Sequence, residues 1–195
     1  MRYVPVILVL AGILISCTDS RKPAYVITRT GDTIIVAKQD TLPPPAPDSA
    51  GYFTKISTGS TTPEELVAFA NTLKGIPYKY ASADPFEGFD CSGFITFVFN
   101  HFGIAVPRRS VDFTYMNKQI NLPDAETGDL ILFTGTDSTE RVVGHMGIII
   151  ASPGKPLSFI HSTSGKAAGV TETPFNNYYK GRYMKTIRIF RQNGR

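Results

Sequence analysis

Cysteine, histidine and tryptophan are nearly missing from this sequence of 195 residues, which has two cysteines, three histidines and no tryptophan. Two cysteines exclude a disulfide-dense scaffold. The cysteines and histidines show no close ligand spacing of the Cys-x-x-Cys or His-x-x-x-His kind, so no metal site is expected. No run of Lys or Arg and no alternation of basic with aromatic residues is present, which argues against a nucleic-acid partner. There is no internal repeat, and the longest apolar stretch, residues 4–15, is too short to span a bilayer comfortably. What is present is a 42% apolar composition with 13 phenylalanines, enough for one core of ordinary size.

The ends and the linkers come next. Residues 1–16 read as an export signal, with Arg2 at the start and an apolar centre. Their end, Leu14-Ile15-Ser16-Cys17, resembles the lipobox of bacterial lipoproteins. That resemblance implies cleavage after Ser16 and lipidation of Cys17, and so an exported chain tethered to a membrane in the periplasm or cell envelope. A cleaved signal with an incidental cysteine and an uncleaved anchor are the alternatives. Without residues 1–16 the chain keeps 19 basic against 16 acidic residues, a net of +3. This mild charge suits a polyanionic surface but identifies no partner. Residues 17–60 read as a polar, proline-rich tether that holds a short hairpin around Gly31 and an extended spacer at 42–47. The folded domain is expected over 61–195.

Within that domain Thr62-Pro63-Glu64-Glu65 predicts a helix start with a capping box, and Leu66, Phe69, Ala70 and Leu73 give the helix an apolar face ending at Gly75. A second helix is expected over 91–102, with Asp90 as N-cap and Gly103 as terminator, and a shorter one over 110–117. Apolar runs at 130–133, 146–151, 157–160 and 187–190 predict strands. Helices first and strands afterwards favour α+β with an antiparallel sheet.

Cys91 stands directly after the N-cap, where free N–H groups and the helix dipole stabilise a thiolate. Read alone, it is either a nucleophile or a small buried hydrophobe. His145 opens one strand-like run and His161 closes the next, with a turn at 152–154 between them. A hairpin centred on Pro153 would set the two histidines directly opposite each other, with Cβ atoms roughly 5 Å apart. One imidazole would then serve the thiol and the other would fix its tautomer. A slip of one residue would put them on opposite faces. His101, in the last turn of the Cys91 helix and roughly 15 Å from the thiol, receives no catalytic role.

Six segments together resemble the NlpC family of bacterial cell-wall cysteine endopeptidases: Pro77-Tyr78-Lys79-Tyr80, Gly88-Phe89-Asp90-Cys91-Ser92-Gly93-Phe94, Val106-Pro107-Arg108-Arg109-Ser110, Gly128-Asp129-Leu130-Ile131-Leu132-Phe133, His145-Met146-Gly147-Ile148 and Phe159-Ile160-His161. The resemblance implies a papain-like fold with N-terminal helices packed on the sheet. It implies Cys91 as nucleophile, His145 as general base and His161 as its orienting partner. It implies hydrolysis of the γ-D-glutamyl–diamino acid amide of peptidoglycan stem peptides by a monomer that needs no cofactor. It also implies a substrate pocket bordered by Tyr78, Asp90 and Ser92, which in some relatives hold the free amine of L-alanine. Asp90 and Ser92 acting only as helix caps is the competing reading. Two departures stand out. Ala81-Ser82 occupies the place where relatives usually carry two glycines, and residues 18–60 are too few and proline-rich for a wall-binding barrel. The rival functions are a peptidoglycan amidase of different bond specificity and a non-catalytic wall-binding module.

The lipobox reading makes a direct prediction. Cys17→Ala abolishes lipid labelling and moves the protein out of the membrane fraction, as measured by fractionation. Unchanged attachment would mean that an uncleaved apolar segment holds the chain.

Overall fold

The computed structural model describes residues 24–27, 33–36, 56–116, 118–152 and 154–190. The expected signal segment, Cys17 and the expected proline spacer lie outside the described residues. In chain order the helices are α1 (Pro63–Thr72), α2 (Cys91–His101) and α3 (Asn177–Arg182). The strands are β1 (Ala24–Ile27), β2 (Thr33–Val36), β3 (Ala83–Asp84), β4 (Gly88–Phe89), β5 (Gln119–Ile120), β6 (Leu130–Thr134), β7 (Val143–Ile150), β8 (Ser158–Thr163), β9 (Gly169–Pro174) and β10 (Tyr183–Ile187). β1 and β2 pair antiparallel on either side of the expected hairpin turn, whose residues 28–32 are outside the described set.

The helix starts follow their local chemistry. Thr62 Oγ1 accepts the Glu65 N–H at 3.2 Å and Glu65 Oε2 accepts the Thr62 N–H at 2.9 Å, so the capping box closes. Asp90 caps α2 by accepting the Gly93 N–H. Every residue of α2 from Cys91 to Asn100 is buried. A helix apolar on all sides has to be covered on all sides, and α1, the β3–β4 hairpin and the sheet cover it.

The main sheet has six strands in the order β5-β10-β6-β7-β8-β9, and every neighbouring pair is antiparallel. Because side chains alternate across a strand, each sheet face has its own core. Leu130, Leu132, Met146, Ile148 and Ile160 pack with α1 and α2. Ile131, Phe133, Ile149 and Phe159 pack with Tyr179 of α3 on the other face. The architecture is therefore the expected α+β fold with early helices on an antiparallel sheet, plus a short late helix on the reverse side.

Three elements differ from expectation. Residues 110–115 form a 3-10 turn, with Phe113 alone fully buried. The run at 187–190 overlaps its strand only at Ile187: the strand is β10, ending there, and Ile189 and Phe190 enter the core beyond the ladder. Strand β9 escaped notice because Thr171-Glu172-Thr173 has no apolar run, although its edge position on β8 tolerates polar side chains on both faces.

The end of the sheet away from Cys91 is held by a buried carboxylate. Asp129, 1% exposed, meets Arg188 Nε at 2.9 Å and accepts the Glu126 N–H at 2.8 Å, while Arg188 Nη1 reaches Glu126 at 2.9 Å. Burial pushes the Asp129 carboxyl up to about 6, with Arg188 opposing. Since this folded-state value exceeds the unfolded one, the group's contribution to stability declines as pH rises from about 4 to 6. Arg188→Met removes the opposing cation and extends that loss upward. We expect a cost of about 3–5 kcal/mol at pH 8, the size of a broken buried pair, and a smaller cost at pH 5, where the carboxyl is protonated. Urea denaturation at the two pH values checks it.

Candidate active site

The thiol is placed by backbone contacts at the start of α2. The Asp90 N–H donates to the Ser82 carbonyl at 2.9 Å, and a β-carbon on Gly93 would stand 2.0 Å from that same oxygen. Only glycine lets the helix approach so closely. Of the Ala81-Ser82 pair, Ala81 lies in the left-handed region at φ 59°, a conformation glycine enters more cheaply. Ser82 turns inward, and its hydroxyl accepts the Asp84 N–H at 3.2 Å. Ala81 borders the cleft with no more than a methyl group.

Cys91 is 9% exposed, and its Sγ lies 3.8 Å from the carbonyl oxygen of Gly144. At Gly144 the β6–β7 ladder shifts register: Phe133 pairs with His145, yet Thr134 pairs with Val143. A bulge of this kind re-aims the strand beside a site, and here it directs a backbone carbonyl at the thiol. Cys91, Gly144 and His145 border one cleft of about 900 Å³.

The histidines meet, but by a different register from the one expected. Ile148 pairs with Ile160 and Ile149 with Phe159, so the β7–β8 hairpin is centred on residue 154 and not on Pro153. His161 therefore stands across from Gly147, and His145 is its diagonal neighbour. The shift is by two residues in pairing, which preserves the face. The diagonal is open because Gly147 has no side chain; a β-carbon there would lie 2.6 Å from Phe159 and 3.2 Å from the His161 β-carbon. Across that gap His145 Nε2 and His161 Nδ1 are 2.8 Å apart, and His161 Nε2 is 2.9 Å from Thr173 Oγ1.

These contacts define a consistent proton arrangement. An imidazole that accepts the thiol proton through Nδ1 carries its own proton on Nε2. His145 Nε2–H then donates to His161 Nδ1, and His161 Nε2–H donates to Thr173. Sequence reasoning missed Thr173; its position on an unrecognised strand gave no signal. It also missed Arg182, which is 6% exposed and has no carboxylate partner among the described residues. Arg182 donates to Tyr178 Oη at 2.7 Å and to the Thr134 carbonyl at 2.9 Å, and it lies over the Tyr178 and Tyr179 rings. Tyr179 in turn packs against both histidines. His101 lies at the other end of α2, stacked on Phe69 at 3.7 Å between centroids. Among the described residues no group of three His, Cys, Asp or Glu side chains is arranged to hold a metal.

The electrostatics correct one expectation. Backbone N–H groups at the helix start and Arg108 do pull the thiol down, but burial, followed by the Asp90 carboxylate, outweighs them and pushes Cys91 up to about 11. Burial, then His161 and Arg182, holds His145 well below the usual imidazole range, and burial with Arg182 lowers His161 to about 3. Burial thus favours the neutral form of the thiol and of both imidazoles.

On the other side of Cys91, Asp90 and Ser92 are engaged with Arg108. Its Nη1 and Nη2 donate to the two Asp90 oxygens at 3.0 and 2.9 Å, and Nη1 also reaches Ser92 Oγ at 3.0 Å. Tyr78 is held between β4 and β9, its N–H donating to Ala168 O at 2.9 Å. Tyr78, Asp90 and Ser92 border the cleft together, and Arg108 is an unforeseen fourth member of that wall.

A neutral imidazole base protonates only in acid, so the acid limb of kcat/KM should fall well below pH 6.5. Arg182→Met removes a cation that opposes protonation of the pair. The limb should then move to higher pH yet stay below 6.5, since burial, the larger cause, remains. Arg182→Lys should hold the limb in place. A pH–rate profile of the three proteins measures this.

The chain that carries this cleft is similar to known proteins. The model of the NlpC/P60 family matches residues 75–188. The chain is 31% identical over 135 residues to the gamma-DL-glutamyl hydrolase of Bacillus subtilis, covering 69% of this chain and 32% of that protein. It is 33% identical over 118 residues to the Escherichia coli murein DD-endopeptidase MepS/murein LD-carboxypeptidase, covering 60% and 57%. It therefore spans about a third of the first relative's length and somewhat over half of the second's. A crystal structure of an NlpC/P60 family protein from Bacillus cereus superposes with a TM-score of 0.59 at 26% identity, over 68% of this chain and 41% of that one. A match over more than half its length, on the fold and cleft just described, means that the chain belongs to the NlpC/P60 family.

Proposed function

We propose that this chain is a lipid-anchored cell-wall endopeptidase that hydrolyses the γ-D-glutamyl–diamino acid amide of peptidoglycan stem peptides through Cys91, His145 and His161. The observation that carries the reading is the 2.8 Å contact between His145 Nε2 and His161 Nδ1. It engages Nε2 of the His145 ring and so leaves Nδ1 as the nitrogen to take the thiol proton. The names of the relatives, a gamma-DL-glutamyl hydrolase and a murein endopeptidase, support the substrate class.

In this mechanism Cys91 Sγ attacks the amide carbonyl while its proton passes to His145 Nδ1, so no preformed thiolate is needed. The oxyanion is met by the Cys91 N–H, which lies in the first turn of α2 and has no helical acceptor. His145 then gives its proton to the amide nitrogen, the C–N bond breaks, and a thioester remains. Water, deprotonated by the same imidazole, attacks the thioester and restores the thiol. Tyr78, Asp90 and Ser92 border the acyl side of the cleft. Burial, then Cys91 and Asp90, raise the Tyr78 phenol, which therefore stays a hydrogen-bond donor.

Cys91→Ala should remove turnover of defined muropeptides, His145→Ala should cost nearly as much, and His161→Ala less. Mass spectrometry of the products should show cleavage after the γ-linked D-glutamate. Release of intact stem peptide from sugar would favour an amidase, and binding without any product would favour a wall-binding module. Because Arg108 already neutralises Asp90, a substrate ammonium there gains little. Stems with free and acetylated L-alanine amines should differ by no more than about fivefold in kcat/KM, the size of a screened ion pair. A larger loss on acetylation would mean that Asp90 leaves Arg108 for the amine.

A further inference from the structure

The cleft has two halves that meet at Cys91, Gly144 and Tyr78, and their charges differ. In the half beside Asp90, the carboxylate is paired with Arg108 and Arg109 is paired with Asp112. The half beside His145 is bordered by two cations, Lys166 and Arg182, and by no Asp or Glu. The nearest acid on the bordering strand, Glu172, lies on the opposite side of β9 from Thr171 and Thr173. There it is bound to Lys74 and to Ser158, each at 2.8 Å. Of the two cations, Arg182 is buried with Nη1 and Nη2 engaged, whereas the exposed Lys166 ammonium makes no hydrogen bond or ion pair among the described residues.

Lys166 is also held in place. It sits in the turn between β8 and β9, where the Gly165 N–H donates to Thr163 Oγ1 at 3.1 Å and the Ala168 N–H donates to the Gly165 carbonyl at 2.8 Å. The Ala168 carbonyl accepts the Tyr78 N–H, which ties the turn to the cleft wall. A tight turn that presents an unpaired ammonium over a cationic floor attracts an anion.

The chemistry says which part of a substrate lies there. The imidazole that receives the thiol proton later returns it to the departing nitrogen, so the leaving residue lies against His145. We infer that the His145 half of the cleft is a carboxylate-binding subsite, with Lys166 as the residue that selects leaving groups bearing a free carboxylate. This rests on the endopeptidase reading above, in which the leaving group is a diamino acid carrying its own carboxyl group.

The test uses the full chain and two synthetic stems, L-alanyl-γ-D-glutamyl-L-lysine with a free C-terminal carboxylate and the same peptide as its carboxamide. An exposed ammonium paired with the carboxylate should favour the acid by about two- to fivefold in kcat/KM. Lys166→Met should bring the acid-to-amide ratio close to one, and Lys166→Glu should invert it. Equal cleavage of both peptides by the wild type, or an unchanged ratio in Lys166→Met, overturns the subsite and leaves the endopeptidase reading standing. If neither peptide is cleaved, the endopeptidase reading fails, and calorimetric binding to Cys91→Ala and to Cys91→Ala/Lys166→Met decides the subsite. Tighter binding of the acid that is lost with Lys166 upholds it; any other result overturns it.

Discussion

The Ser82 carbonyl accepts the Asp90 N–H and lies so near Gly93 that a β-carbon would come within 2.0 Å of it. That contact fixes the axial position of α2, a helix buried along ten residues and unable to slide without disturbing both the sheet and α1. Because interiors are packed to crystal density, the position of the first helical residue is set to a fraction of an ångström by everything behind it. Cys91 inherits that precision. The Gly144 carbonyl, the Arg108–Asp90 pair and the Tyr78 segment are all placed relative to this one helix end.

Two glycines perform matched tasks at the site. Gly93 removes a side chain so that backbone can meet backbone, and Gly147 removes one so that two imidazoles can meet diagonally. Around them the electrostatics are uniform: burial opposes charge on the thiol and on both rings, and Arg182 opposes it on the rings again. The hydrogen-bonded chain from Thr173 through His161 to His145 keeps a definite direction without any ionised member. An unpaired buried guanidinium is costly, and its carbonyl, phenol and aromatic contacts offset part of that cost.

The fold class and the meeting of His145 with His161 were legible because each rests on a local signal. Thr62-Pro63-Glu64-Glu65 and Asp90 announce their helices through capping chemistry, and the runs around His145 and His161 announce strands through apolar content. Face parity also survived the difference in hairpin centre, since an even shift leaves each side chain on its side. What was hidden depends on contacts distant in sequence. Thr173 acts from an edge strand with no apolar run. Arg182 reads as an ordinary surface residue until α3 folds it under the sheet. The pairing of Arg108 with Asp90 joins residues 18 apart, with nothing in their spacing to signal it. Ser82 and Ala81, which stand where relatives usually carry two glycines, resolve into one inward hydroxyl and one methyl at the rim.

The buried, 9% exposed thiol has a consequence for its chemical durability. Oxidants and small alkylating reagents attack thiolates, and a sulfur pushed up to about 11 offers almost none at neutral pH. Under oxidising conditions such a cysteine resists conversion to sulfenic or sulfinic acid while idle. Its reactivity emerges only when an electrophile is held in the cleft and a base takes the proton during attack. An inhibitor for this site would gain more from filling the cleft than from a more reactive warhead.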